Sequence, residues 1–450
     1  MAATLAQSVP TPTPNPSPQG GGEQRGACPR LSSPMPTGDG LLVRLLPNGT
    51  IPLEAFTTLC TAGREHGNGV LEITARGSIQ VRGLTAASAP RFAETIAALG
   101  IAADGVPVLT NPLAGIDPAE IFDAGALARD CRNRLVANLL SERLAPKISI
   151  AIDGGGALGL DAVSADVRLD AETDNDGRSL RIGLGGDRDG VVSLGTVAIA
   201  NAADAVVRLL EVVARRGRSA RTRDIVNAEG TTPFHEAITD LMIADTPPAS
   251  CPGLSRASTS SGHDGETDAV GIHPLRIGSF ACGIGLAFGQ TDASALEHLT
   301  EAARSAGAVG MRTAPGRVLL AIGIQPADVA TFIAAAKRLG FIISPNDPRR
   351  RVVACTGAPG CASAHMAARA VAPEITEAAA SSLADGETIH ISGCAKGCAH
   401  PGPAALTIVG TANGCALIAD GTTRDTPFAA VGAIRLTEAI ASAMRERRHV

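Results

Sequence analysis

Tryptophan and tyrosine are absent from the 450 residues, and phenylalanine occurs nine times. So few ring faces exclude a nucleic-acid reader built on stacked bases, and equally a protein with an aromatic membrane belt. The formal net charge of −5 and the lack of any basic tract remove the rest of the nucleic-acid case. No run approaches about 18 uncharged apolar residues, so no membrane span is expected. Lysine is nearly missing: Lys147, Lys337 and Lys396 are the whole set, and arginine carries the other basic charge. The first thirty residues have neither a positive n-region nor an apolar core, so no secretory signal is expected there. Cysteine, by contrast, occurs ten times. In the cytoplasmic setting this implies, clustered cysteines serve metals or catalysis more often than disulfides.

Apolar residues make up 45% and charged residues 18%, which suits an ordinary globular chain of two to four domains. Two stretches rich in Pro, Gly and Ser interrupt it. Residues 1–38 read as a disordered leader and 246–272 as a linker. Cys28 and Cys251 fall in these stretches, where nothing could build a rigid site. Between and after them runs an internal repeat. Arg82-Gly83-Leu84 matches Ile322-Gly323-Ile324, and Leu99-Gly100 matches Leu339-Gly340, both at an offset of 240.

Each copy reads as β-α-β-β-α. Helices are expected at Pro52–Gly63, Ser88–Leu99, Ser294–Ala306 and Pro326–Leu339, and strands at Gly69–Thr74 and Ile79–Leu84. The expected fold is α+β. Ferredoxin-like half domains at 39–103 and 273–344 pair through their sheets into one pseudo-symmetric domain. Each is followed by an α/β module, at 104–245 and 345–450. The first module should hold a helix near 118–142 capped by Asp117, strands at Lys147–Ile152, 165–170 and 180–184, and a helix at 202–215. The Gly-rich GLGGDRDG at 183–190 reads as a turn, because no strand–helix nucleotide fingerprint surrounds it. The second module should hold a strand pair near 387–392 and 405–410 and a helix from 428 to 446.

The strongest chemical signal is RVVACTGAPGCASAH followed by IHISGCAKGCAHPGPAALTIVG. Cys355 and Cys361 are spaced C-x5-C, and Cys394 and Cys398 are spaced C-x3-C. Four thiolates in two close pairs suit an iron–sulfur cluster or tetrahedral zinc, and four buried structural thiols are the bland alternative. Gly357, Gly360, Gly393 and Gly397 leave room for backbone N–H groups to approach cluster sulfur. Lys396, between the second pair, either tunes the charge of the site or is solvated. Cys60 and Cys131 sit on helical patterns and Cys282 and Cys415 on strands; all four read as non-ligands.

Cys-x5-Cys followed by Gly-Cys-x3-Cys-x-His-Pro, behind a duplicated half unit, resembles the sulfite and nitrite reductase superfamily from about residue 38 onward. The resemblance implies a 4Fe–4S cluster on Cys355, Cys361, Cys394 and Cys398, with Cys398 at the position that bridges to a sirohaem iron. Reductases of this superfamily clamp a small anion with basic residues, because an anion in a closed site needs charge-assisted hydrogen bonds. Here TARGSIQVRGL supplies Arg76 and Gln80. Val106 stands where a second Arg is expected. LAPKIS keeps Lys147 but carries Ser149 at the next basic position. Half of the anion clamp is therefore missing.

GDGLLVRL, HGNG, TARGSIQVRG, NPLAGIDP, CTGAPGCASA and SGCAKGCAHP look like one branch of the superfamily, the precorrin-3B synthases of aerobic cobalamin biosynthesis. That resemblance implies an oxygen-dependent monooxygenase acting on precorrin-3A, with NADH as indirect reductant through an electron-donor protein. It leaves sirohaem, haem or a mononuclear non-haem iron as the oxygen-activating centre. Arg76, Gln80, Arg82 and Lys147 are the expected substrate-binding residues, with the basic members pairing carboxylates of the tetrapyrrole rim. His66, Asn68, His365 and His400 are either ligands or proton donors, or structural. A sirohaem-dependent nitrite or sulfite reductase is the alternative.

Overall fold

The computed structural model describes residues 29–102, 105–172, 179–243, 267–432 and 435–447; Cys28 and Cys251 lie outside them. Along Val43-Arg44-Leu45 and Leu71-Glu72-Ile73 apolar side chains alternate with charged ones, the period of a strand with two unlike faces. The first half unit is β1 (Met35–Thr37), β2 (Gly40–Leu45), β3 (Ile51–Pro52), α1 (Leu53–His66), β4 (Val70–Ile73), β5 (Ile79–Leu84) and α2 (Ser88–Leu99). The first module adds β6 (Val108–Thr110), α3 (Ala124–Ala137), α4 (Leu140–Arg143), β7 (Ile150–Asp153), β8 (Ala165–Glu172), β9 (Ser179–Gly186), β10 (Val192–Ala198), α5 (Ala202–Ala214), α6 (Thr222–Glu229) and α7 (Thr232–Ile238). The second half unit is β11 (Gly271–Pro274), β12 (Phe280–Gly285), β13 (Gln290–Asp292), α8 (Ala293–Ser305), β14 (Gly310–Ala314), β15 (Val318–Ile324) and α9 (Val329–Arg338). The second module is β16 (Val352–Ala354), α10 (Ala368–Ala379), β17 (Ile389–Ser392), β18 (Ala404–Thr411), β19 (Gly414–Gly421), β20 (Ala429–Val431) and α11 (Leu436–Arg447).

The half units exchange strands. Their sheets run β1-β2-β5-β4-β13 and β11-β12-β15-β14-β3, so each carries one edge strand from the other copy. Asp292 pairs with Val70 in one sheet, and Pro52 with Gly310 in the other. Beneath both sheets α1 packs on α8, and one core unites Phe56, Leu59 and Phe92 with Leu296, Leu299 and Phe332, all 1% exposed or less. At roughly 1.5–3 kcal/mol for each such side chain, pulling the halves apart costs as much as the whole stability of a typical domain. The halves are thus one folding unit, paired through their sheets by the exchanged strands and joined beneath them by helices.

The duplication extends through the modules. Their sheets run β6-β7-β8-β9-β10 and β16-β17-β18-β19-β20, each with three parallel strands followed by two antiparallel ones.

Several boundaries differ from the sequence expectation. The leader ends earlier than residue 38: Met35–Thr37 pairs with β2, and the Gly38 N–H donates to Gly360 O at 3.2 Å. A partner more than 300 residues away in the chain orders this segment. Within the last residues of the expected linker, most of which lies outside the described residues, Val270 is already buried and β11 begins at Gly271. The helix expected from 118 begins at Ala124, capped by Asp123, which accepts from the Ala126 N–H. Asp117 instead holds two loops, accepting from the N–H groups of Ala119 and Ala157 at 2.9 and 2.7 Å. The C-terminal helix starts at Leu436, because Ala429–Val431 is taken up as the sheet-edge strand β20.

Candidate functional site

Cys355 follows directly on β16, and Gly393-Cys394 on β17, so parallel neighbouring strands deliver both cysteine loops to one end of the second sheet. The loops are tied by short contacts. The Gly393 N–H donates to Cys355 Sγ at 3.1 Å, and the His365 N–H donates to Gly393 O at 2.7 Å. Lys396 Nζ reaches from one loop to Ser363 Oγ on the other at 2.9 Å. A Cβ on Gly393 would fall 2.8 Å from Ala364 Cβ and 3.1 Å from Gly357 Cα, so only glycine permits this approach.

Cys355, Cys361 and Cys394 all lie within electrostatic reach of Cys398. Burial raises the Cys398 thiol above its ordinary range, and Cys394, Cys355 and Cys361 push it further. Among the described residues no group of three or more His, Cys, Asp or Glu closes around a single ion. An iron–sulfur cubane makes a different demand, since each thiolate binds its own iron and the four stand further apart. Cys60, Cys131, Cys282 and Cys415 are buried elsewhere. Burial raises all four, Cys131 to about 12 and Cys282 to about 11, which keeps them inert neutral thiols.

These loops face the first half-unit sheet, whose two faces are unlike. One face is the shared core. On the other, register places Arg44, Gln80, Glu72 and Gln290 side by side across β2, β5, β4 and β13. The Gln80 amide bridges the row, its nitrogen donating to Glu72 Oε2 and its oxygen accepting from Arg44 Nη2, both at 2.9 Å. Arg369, from α10, donates to Glu72 Oε1 at 2.6 Å and to Gln290 Oε1. Arg82, only 5% exposed, donates to both oxygens of Asp39 at 3.1 and 3.0 Å and to Gly360 O in the first cysteine loop. It acts as a strut between sheet and loop. Asn68 donates to the same Asp39 at 3.1 Å.

The pseudo-equivalent interface is closed. Leu320 and Ile322, 240 residues on from Gln80 and Arg82, pack against Leu113 and Leu158 from the loops of the first module. Asn111 follows β6 as Cys355 follows β16, and its Oδ1 accepts from the Gly154 N–H as Cys355 Sγ accepts from Gly393. One of two related interfaces is therefore filled with hydrocarbon, and the other is polar and carries the cysteines.

At the edge of the polar face lie two adjoining cavities of about 340 and 320 Å³, which share Leu46, Arg76, Ser78, Gly105, Pro107 and Leu109. The second is lined by five basic residues: Arg30, Arg44, Arg76, Lys147 and Arg221. Two of them are anchored from behind. Arg76 donates to Ser164 O at 2.9 Å, and Arg221 forks onto Asp166 at 3.0 and 2.9 Å. Ser149 lines the same cavity, and Val106 lines its neighbour.

Of the four expected binding residues, Arg76 and Lys147 meet in this cavity. Gln80 holds Arg44 towards it, and Arg82 lies further along β5 at the cysteine loop. Sequence reasoning missed Arg30, Arg44 and Arg221, which come together only in the fold. It also missed His390, although alternation along Ile389-His390-Ile391 places that side chain opposite the core. His390 is fully buried and its ring lies 5.7 Å from that of His400. Burial, His400 and Arg317 together push it down to about 4, so it is neutral near pH 7. His400 Nε2 lies 3.1 Å from Pro403 O.

Known proteins resemble this chain in sequence and in fold. Residues 33–99 match the nitrite/sulfite reductase ferredoxin-like half domain. A precorrin-3B synthase from Sinorhizobium sp is 39% identical over 411 residues, covering 90% of this chain and 85% of that one. A ferredoxin–nitrite reductase from Synechococcus elongatus is 24% identical over 391 residues, covering 81% and 75%. Among solved structures, the NirA protein of Mycobacterium tuberculosis superposes with a TM-score of 0.71 at 21% identity, covering 90% of this chain and 80% of that one; it shares the fold.

Proposed function

The chain belongs to the precorrin-3B synthase family of the nitrite/sulfite reductase superfamily, and from that membership we propose that it oxidises precorrin-3A. In this reading one oxygen atom of O2 enters at C-20 and a γ-lactone closes with the ring A acetate. The second oxygen leaves as water, using two electrons that originate in NADH and arrive through an electron-donor protein. The carrying observation is the cavity that gathers Arg30, Arg44, Arg76, Lys147 and Arg221 at the edge of the polar sheet face. A precorrin bears many carboxylates, and an excess of fixed guanidinium groups suits such a rim.

The donor set fits a 4Fe–4S cluster: four thiols on two glycine-rich loops, with a backbone N–H already directed at Cys355 Sγ. Cys355, Cys361, Cys394 and Cys398 would hold it, with Cys398 the residue that could also bridge to a sirohaem. Such a cluster, when bound, passes electrons one at a time. The chain's own residues do the rest. Arg76 and Lys147 bind carboxylates. Gln80 orients Arg44 for the same task. Arg82 fixes the first cysteine loop to the sheet, which sets the distance between substrate and electron source.

A sirohaem-dependent anion reductase is less well served. Val106 and Ser149 stand where two basic residues would hold a small anion. The discriminating experiment is side-by-side turnover of anaerobically purified protein with precorrin-3A plus O2, with nitrite, and with sulfite. Conversion of precorrin-3A alone supports the proposal. Reduction of nitrite or sulfite without precorrin turnover overturns it.

A further inference from the structure

At the end of the polar sheet face opposite Arg44, two cations, Arg317 and Arg369, share a single acid, Glu72. Arg317 sits in the turn between β14 and β15 with φ +66°, a left-handed conformation that disfavours any side chain. It lies so flat against Gly289 that a Cβ there would come within 2.7 Å of its Cδ. Its guanidinium is partly buried and makes no hydrogen bond or ion pair among the described residues. Its charged neighbours are Arg369 and Glu72, and Glu72 is already bonded by Arg369. Arg369 Nε, and both ring nitrogens of the fully buried His390 beside Arg317, also lack partners among the described residues.

A buried cation without a counter-charge is costly, and so is a buried donor without an acceptor. Arg317, short of counter-charge in a strained backbone, and the unpartnered nitrogens of Arg369 and His390 lie on separate elements and describe a site whose partner is an anion. We propose that Arg317, Arg369 and His390 form a second carboxylate subsite, which takes one rim carboxylate of the tetrapyrrole while others lie in the cationic cavity. The subsite rests on the polycarboxylate reading given above. The two cation groups lie at opposite ends of the row from β2 to β13. Three strand spacings separate those strands, roughly 14 Å, a span suited to a macrocycle with side chains on both edges. The neutral His390 ring offers one N–H donor, and the two guanidinium groups offer charged ones.

Arg317→Gln and Arg317→Gly in the cluster-loaded protein test this, with anaerobic binding of precorrin-3A and ligand-free melting as paired readouts. Loss of a charge-assisted contact should weaken binding by about tenfold or more. The ligand-free melting temperature should stay level or rise, because an unpaired cation leaves, and in the glycine variant a strained backbone relaxes as well. Unchanged binding, or weaker binding matched by a fall in melting temperature, overturns the subsite. A second arm uses malonate against chloride at equal ionic strength. Malonate should raise the wild-type melting temperature, and by less in Arg317→Gln. A malonate shift that survives Arg317→Gln and vanishes in Lys147→Gln overturns the subsite. If the wild type ignores precorrin-3A but its malonate shift needs Arg317, the subsite stands and the substrate reading fails.

Discussion

Arg82 looks from the sequence like a substrate ligand, but in the fold it is a fork between Asp39 and the backbone of the cysteine loop. Burial raises the Asp39 carboxyl, yet hydrogen bonds from Arg82 and Thr37 outweigh this and hold it below its ordinary value of 3.8. A depressed carboxylate stabilises the fold above its unfolded pKa, and the contribution is lost as pH falls through the folded value. Stability should therefore decline below about pH 4, and Arg82→Ala should flatten that part of the profile in acid-melting experiments. The same change should cost about 2–4 kcal/mol near pH 7, with Arg82→Lys recovering only part of it, because an ammonium group cannot fork. Denaturant unfolding of the three proteins checks the ranking. Among the cysteines, Cys→Ser at 355, 361, 394 or 398 should abolish iron and sulfide retention and the visible absorbance. The same change at Cys60, Cys131, Cys282 or Cys415 should leave both intact. Cluster loss on replacing Cys415 would show that the ligand set is wrong.

Between elements, the informative comparison is of a sheet with its own duplicate. Gln80 and Arg82 on β5 face the cysteine loops; Leu320 and Ile322 on β15 face the loops that carry Asn111 and Leu113. The hydrocarbon interface has no use for charge. Ile322→Arg should destabilise the protein by more than about 3 kcal/mol, because it buries a cation among Leu113, Leu158 and Ile342. A cost near zero in denaturant unfolding would mean that this interface is open, contrary to the account. The element pattern was largely legible in the sequence. The offset of 240 and the helices near 53–66, 88–99, 293–305 and 329–338 follow from local periodicity, and the structure places them within a few residues of expectation. The exchange of β3 and β13 was not legible. These strands are two and three residues long and are defined by partners in the other copy. Asp123 and Asp117 were likewise confused, since each precedes a plausible helix start and only tertiary contacts decide which one caps.

For the whole molecule, scarcity of aromatic residues acquires a positive meaning. In the proposed reading, a chain without Trp or Tyr cannot grip a macrocycle mainly by stacking, and recognition would fall to arginines at its rim. A chain with net charge −5 nevertheless assembles Arg30, Arg44, Arg76, Lys147 and Arg221 around one cavity. The cysteine spacing made the two cysteine loops visible in advance. The cavity was not visible, because its basic residues are scattered from position 30 to position 221. Labelled dioxygen shows whether this site inserts oxygen into a bound precorrin. Holoprotein supplied with precorrin-3A, electrons from NADH and 18O2 should yield a product carrying one 18O atom and a γ-lactone. A product without label, or no product alongside steady reduction of nitrite or sulfite, would show that oxygen insertion is not the site's reaction.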